Sequence, residues 1–93
     1  MLEGMQKNES KTAEKDYSVY ILACSGGTLY TGIAKDVQSR LKQHQAGKGA
    51  KYTRAHLPVE LIYQEEGYTR SEALIREAKI KAMPAQKKRE LAA

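Results

Sequence analysis

Residues 17–33, YSVYILACSGGTLYTGI, leave the chain few ways to fold. Two runs rich in β-branched, aromatic and leucine side chains flank Ser25-Gly26-Gly27. Glycine takes positive φ at no steric cost, so the stretch predicts a β-hairpin. Tyr17, Val19, Tyr20, Ile21 and Leu22 belong to the first strand, and Leu29, Tyr30 and Ile33 to the second. The first strand is apolar or aromatic on both parities, as a strand covered on two faces should be, which makes it central in its sheet. Tyr20 and Tyr30 are awkward occupants of such a core, because a buried phenol needs a hydrogen-bond partner. The turn decides whether they meet. A three-residue Ser25-Gly26-Gly27 loop pairs Leu22 with Tyr30 and sets Tyr20 and Tyr30 on one face; a two-residue Gly26-Gly27 loop sets them on opposite faces. The shared face is expected.

The rest of the chain supplies what a hairpin lacks. Asp36 is a good N-cap for a helix over 37–46, ended by Gly47. Val37, Leu41 and His44 share one narrow face of it, with Arg40 at the edge. Gly47-Lys48-Gly49 breaks the helix, and AKYTRAH (50–56) is a short helical or irregular connection in which Lys51, Tyr52 and Arg54 mix cations with an aromatic ring. VELIYQEE (59–66) is the third strand, with Val59, Leu61 and Tyr63 expected on one face. Thr69 and Glu72 form a capping box for a helix through Ala82, whose apolar stripe is Ala73, Leu74 and Ile80. Glu77 falls inside that stripe, where a carboxylate is costly unless paired with a cation such as Arg40 or bound to a metal. Pro84 starts a last helix over 84–91, with the basic face QKKRE. The order β-β-α-(short α)-β-α-α predicts an α+β fold: a small, three-stranded, mostly antiparallel sheet flanked by helices.

At 93 residues the chain has room for one core, expected over 17–93 and preceded by a flexible, charge-alternating tail over 1–16. The single cysteine, Cys24, allows no intramolecular disulfide and fits a cytoplasmic setting. No apolar run approaches the ~20 residues of a membrane span. The formal net charge is +5. The positive excess gathers in two blocks. One runs from Lys35 through Arg40, Lys42, Lys48 and Lys51 to Arg54; the other holds Lys79, Lys81, Lys87, Lys88 and Arg89. Such blocks suit a polyanionic partner or a merely solvated surface.

Ser18-Val19-Tyr20, ten residues before Tyr30-Thr31-Gly32, resembles the paired signature tripeptides of the GIY-YIG nuclease superfamily. Arg40 and His44 match that family's R-x-x-x-H element, and Glu77 matches its metal-binding glutamate. GKGAKYTR, PVELIY and TRSEAL are similar to its small stand-alone bacterial branch (YhbQ-like). The resemblance implies DNA phosphodiester hydrolysis with one divalent metal, Mg²⁺ or Mn²⁺, and no organic cofactor. Tyr20, Tyr30, Arg40, His44 and Glu77 would be catalytic, with Glu77 on the metal, Arg40 on the scissile phosphate and either tyrosine orienting or deprotonating water. Lys35, Lys48, Lys51, Tyr52, Arg54, Lys87 and Lys88 are the expected DNA contacts. Two family features are missing: a lysine directly after the second tripeptide, where Ile33 stands, and a late asparagine.

Three functions follow. The first is a metal-dependent endonuclease acting on branched or damaged DNA. The second is a catalytically weak nucleic-acid-binding module with the same fold. The third is an interaction domain in which Arg40 and Glu77 form a buried ion pair.

Overall fold

The hairpin closes through the three-residue connection. In the computed structural model, which describes residues 14–93, β1 (Tyr17–Cys24) and β2 (Leu29–Ala34) are joined by a tight turn at Ser25–Gly27. Gly26 and Gly27 both take positive φ, 84° and 85°, and the Cys24 amide donates to the Thr28 carbonyl at 2.9 Å. Leu22 therefore faces Tyr30 and Tyr20 faces Gly32. Because side chains alternate faces along a strand, this register sets Tyr20 and Tyr30 on the same side of the sheet.

The third strand, β3 (Val59–Tyr68), adds antiparallel to the other edge of β1, giving the order β2-β1-β3 and leaving the hairpin's first strand central. Among the described residues four helices complete the fold: α1 (Val37–Gln45), α2 (Lys51–Arg54), α3 (Arg70–Lys81) and α4 (Ala85–Ala92). None is long and apolar enough to cross a membrane. The side chain of Asp36 accepts from the Ser39 amide at the start of α1, and Thr69 and Glu72 form the expected reciprocal capping box on α3. Pro84 stands one position outside its expected place, as the N-cap of α4 rather than in its first turn. Of the expected tail, residues 1–13 lie outside the described residues; Glu14–Asp16 have neither helix nor strand.

Two apolar layers sandwich the sheet. Tyr20, Leu22, Cys24, Val37 and Val59 form one, with Tyr30, Leu41 and Leu61 against it; Val19, Ile21, Ala73 and Ile80 form the other, with Ile62, Tyr63, Met83 and Leu91. This departs from the simple alternation expected for β3. Ile21 pairs with Tyr63 and Leu22 with Leu61, so Ile62 is an extra residue in the ladder. A bulge of this kind re-aims everything beyond it, and Tyr63 joins Ile62 on the α3 side instead of following Leu61. A second register shift lies between Glu65 and Tyr68, where Gly67 has φ 88°. Leu74 also departs from expectation. It is 39% exposed, and the buried stripe of α3 is Ala73 and Ile80 with Glu77 between them.

On the α3 side the bulged strand carries a compact ionic cluster. Arg76 donates to both Glu65 oxygens at 2.8 Å, and the Tyr63 and Tyr68 hydroxyls donate to the same carboxylate. The Arg76 bonds, assisted by the two phenols, hold the Glu65 carboxyl at about 2 against the opposing effect of burial. The cluster ties β3 to α3.

Candidate active site

The α1 side of the sheet holds a chain of aromatic rings. Tyr20 is 1% exposed and His44 is fully buried, and the Tyr20 hydroxyl lies 2.9 Å from His44 Nε2. The Tyr20 and Tyr30 rings are 6.4 Å apart, and the Tyr30 ring is 5.3 Å from the His44 imidazole at 60°. Tyr52, from α2, stacks on the outer side of Tyr30 at 6.4 Å and 16°, and His56 stacks in turn on Tyr52 at 4.1 Å. The ladder runs from the buried phenol of β1 to the surface, since Tyr52 is 39% exposed.

Two glycines make this packing possible through missing side chains. A Cβ on Gly32 would lie 2.5 Å from the Tyr20 hydroxyl oxygen, and one on Gly49 would lie 2.3 Å from His44 Nδ1. Neither glycine needs an unusual φ; each is required because a ring rests directly on the backbone. Gly32 is the glycine of the second tripeptide. Gly49 breaks the helix, and its loop is also one wall of the histidine pocket.

Burial is the main influence that pushes the Tyr20 phenol up to about 12, with Tyr30 and Glu77 acting in the same direction; Arg40 pulls it down by hydrogen bonding and charge. Burial also lowers the His44 pKa, helped by the Arg40 charge, so the imidazole is neutral at pH 7. Arg40 is half-buried, and its guanidinium donates to Gln43 Oε1 at 2.7 Å. Glu77 approaches from α3 with its side chain 18% exposed, and its partner is Lys81 at 3.4 Å, one turn along the same helix. Of the two alternatives for Glu77, pairing with Arg40 does not form. Arg40 and Glu77 both act on the Tyr20 phenol without closing on each other, which removes the basis for a buried Arg40–Glu77 pair.

The candidate DNA contacts divide. Lys48, Lys51, Tyr52 and Arg54 are exposed on and just before α2, beside the aromatic ladder. Lys35 lies 3.7 Å from Asp16 and over the Tyr17 ring. Lys87 and Lys88 are on α4, whose Leu91 packs on the α3 side of the sheet, away from Tyr20 and Tyr30. Thr53 and His56 enter the site without having been anticipated. A hydroxyl in the middle of a basic run carried no signal, and His56 becomes visible only once a single turn of helix puts it over Tyr52, four residues before it.

Glu77 is a hard oxygen donor, and among the described residues no group of three or more His, Cys, Asp or Glu gathers into a metal cage. One carboxylate, with the remaining positions left to water and substrate phosphate, suits a magnesium-like cation rather than structural zinc.

Residues 16–90 match the family model described as the GIY-YIG catalytic domain. A UPF0213 protein of Staphylococcus aureus is 57% identical over 70 residues, covering 75% of this chain and 85% of the relative. The solution structure of a UPF0213 protein of Bacillus halodurans is similar at 41% identity and a TM-score of 0.50, covering 81% of this chain and 80% of that one. A second solution structure, of a protein from E. faecalis, is similar at 37% identity and a TM-score of 0.56, covering 85% of this chain and 84% of the other. With its tripeptides paired across one hairpin and His44 hydrogen-bonded to Tyr20, the chain belongs to the GIY-YIG nuclease family.

Proposed function

We propose that this protein is a divalent-metal-dependent endonuclease that hydrolyses DNA phosphodiester bonds in the cytoplasm, on branched or damaged DNA. The observation that carries the reading is the Tyr20 phenol, hydrogen-bonded to a neutral buried histidine and acted on by Arg40 and Glu77 together. Phosphodiester hydrolysis needs a proton removed from water, charge compensated on the phosphoryl oxygens, and help for the leaving oxygen. Tyr20 has a proton acceptor behind it in His44, so it is the phenol equipped to take a proton from water and pass its own to Nε2. Tyr30, with its edge on the imidazole, orients the water. Arg40 grips the scissile phosphate with its planar fork. Glu77 would hold Mg²⁺ or Mn²⁺, which when bound supplies Lewis-acid charge compensation at the phosphoryl group. Lys48, Lys51 and Arg54 meet the backbone phosphates, and Tyr52 offers a ring on which a base can stack.

A second reading, a binding module of weak activity, draws on the pKa of about 12 at Tyr20, since a phenol that holds its proton so firmly is a poor base at neutral pH. One assay separates them. Nicked, branched and single-stranded DNA are incubated with the protein and Mg²⁺ or Mn²⁺ beside a Glu77→Ala variant. Cleavage that the variant loses while still binding DNA is the expected result. Equal cleavage by both proteins overturns the metal role, and salt-sensitive binding without cleavage establishes the second reading.

A further inference from the structure

His44 has a second hydrogen bond that the proposed chemistry does not use. Its Nδ1 lies 2.8 Å from the Thr53 hydroxyl, and that hydroxyl donates to the Ala50 carbonyl at 2.9 Å. Thr53, like His44, is fully buried, so no bulk water competes for either group.

We infer that Thr53 is a positioning residue for the hydrolysis proposed above: it fixes His44 as the Nδ1–H tautomer, so that Nε2 is left as the acceptor for the Tyr20 proton. A threonine hydroxyl carries one proton. With that proton committed to Ala50, the oxygen can only accept from His44, which places the imidazole proton on Nδ1. At the other end, the Tyr20 hydroxyl has one proton and lies 2.9 Å from His44 Nε2. Among the described residues, His44 Nε2 is the acceptor within hydrogen-bond distance. With the imidazole proton on Nδ1, Nε2 can only accept, so donation runs from Tyr20 to His44 to Thr53 to Ala50. Without the bond on Nδ1 His44 has no such constraint, because the Tyr20 hydroxyl at Nε2 can either donate or accept.

The geometry also explains why the far end sits where it does. Thr53 belongs to α2, between Tyr52 and Arg54, and Gly49 lets the preceding loop close against the imidazole. The short helix that presents cations and a ring to solvent therefore also holds the last link of the proton chain. Thr53 touches neither substrate nor the reacting atoms. Its effect passes through His44.

The test is the tautomer itself, read by long-range proton–nitrogen NMR correlation on the wild-type protein and on Thr53→Val and Thr53→Ser variants. The proposal expects a neutral His44 protonated on Nδ1 in the wild type and in Thr53→Ser, and loss of that signature in Thr53→Val. With Mg²⁺ and the best-cut DNA, Thr53→Val should lower kcat by roughly ten- to a hundred-fold, as misplacing a general acid–base group does, with KM changed less than about twofold. A wild-type His44 protonated on Nε2, or a Thr53→Val protein that keeps the Nδ1–H signature, overturns the proposal. The wild-type spectrum decides the point even if Thr53→Val fails to fold. It also stands apart from the nuclease assay: a protein that cuts no DNA yet shows the Nδ1–H tautomer refutes the endonuclease reading and leaves the hydrogen-bond assignment in place.

Discussion

His44 and Thr31 are both buried polar side chains, and they differ in whether their atoms are satisfied. His44 uses both ring nitrogens, whereas the Thr31 hydroxyl, 3% exposed on β2, has no hydrogen-bond partner among the described residues. An unpaired buried hydroxyl costs about 1–3 kcal/mol. Thr31→Val keeps the shape and removes that demand, so it should stabilise the fold by about 1 kcal/mol, seen as a rise of roughly 4–8 °C in Tm. No rise, or a fall, would mean that Thr31 is satisfied in solution. His44 carries the pH dependence. Its pKa is lowered in the fold from 6.5, so on acidification the unfolded chain takes up the proton first. Its contribution to stability is full above pH 6.5 and is lost as the pH falls from there towards the lower folded value. Denaturation midpoints should drop between about pH 7 and pH 5, and His44→Gln should flatten that drop; an equal drop in the variant would assign it elsewhere. At this scale the candidate site was largely legible. Tyr20, Tyr30, Arg40, His44 and Glu77 each stand at a motif position, while Thr53 and Gly49 matter through contacts that no local pattern encodes.

Elements were legible where a local rule governs them and not where a ladder defect does. The Gly26-Gly27 turn, the Asp36 cap and the Thr69–Glu72 box each act within a few residues, and each forms as the sequence implies. The bulge at Ile62 depends on how β3 meets β1, so strict alternation misassigned Tyr63. The Glu65–Arg76 cluster is a consequence of the same pairing, since the shifted register brings Tyr63 and Tyr68 to one carboxylate. Removing one partner of a largely buried pair strands the other charge, which costs about 3–5 kcal/mol when fully buried. Here the side chains keep 27% and 15% exposure, and Glu65→Ala should lose roughly 2–3 kcal/mol in urea unfolding. A double Glu65→Leu, Arg76→Met replacement should cost less than the single change, because it leaves no stranded charge. DNA cleavage per folded molecule should be unchanged. A loss of cleavage in the folded double variant would show that the cluster also positions Glu77.

For the whole molecule, the proposed endonuclease activity raises the question of which face would meet DNA. The net charge of +5 cannot answer it, since the two basic blocks contribute comparably to the total. The sheet separates them. The α2 block adjoins the tyrosine and histidine rings on one side, and Leu91 anchors α4 on the other. Duplex DNA lying against Tyr52 would meet Lys48, Lys51 and Arg54 before it met α4. Each phosphate contact contributes roughly 0.9 to the slope of log K against log salt. Lys51→Ala with Arg54→Ala should therefore lower that slope by roughly 2, with affinity weakened about equally across sequences. Lys87→Ala with Lys88→Ala, although it removes the same charge, should leave the slope within about 0.5 of wild type, because a charge beyond one Debye length (about 8 Å at physiological salt) is screened. Titrating one labelled duplex at several salt concentrations gives all three slopes. If the α4 pair lowers the slope as much as the α2 pair, DNA must wrap around both faces, and the path from Tyr52 to the Tyr20 phenol would be only part of the bound surface.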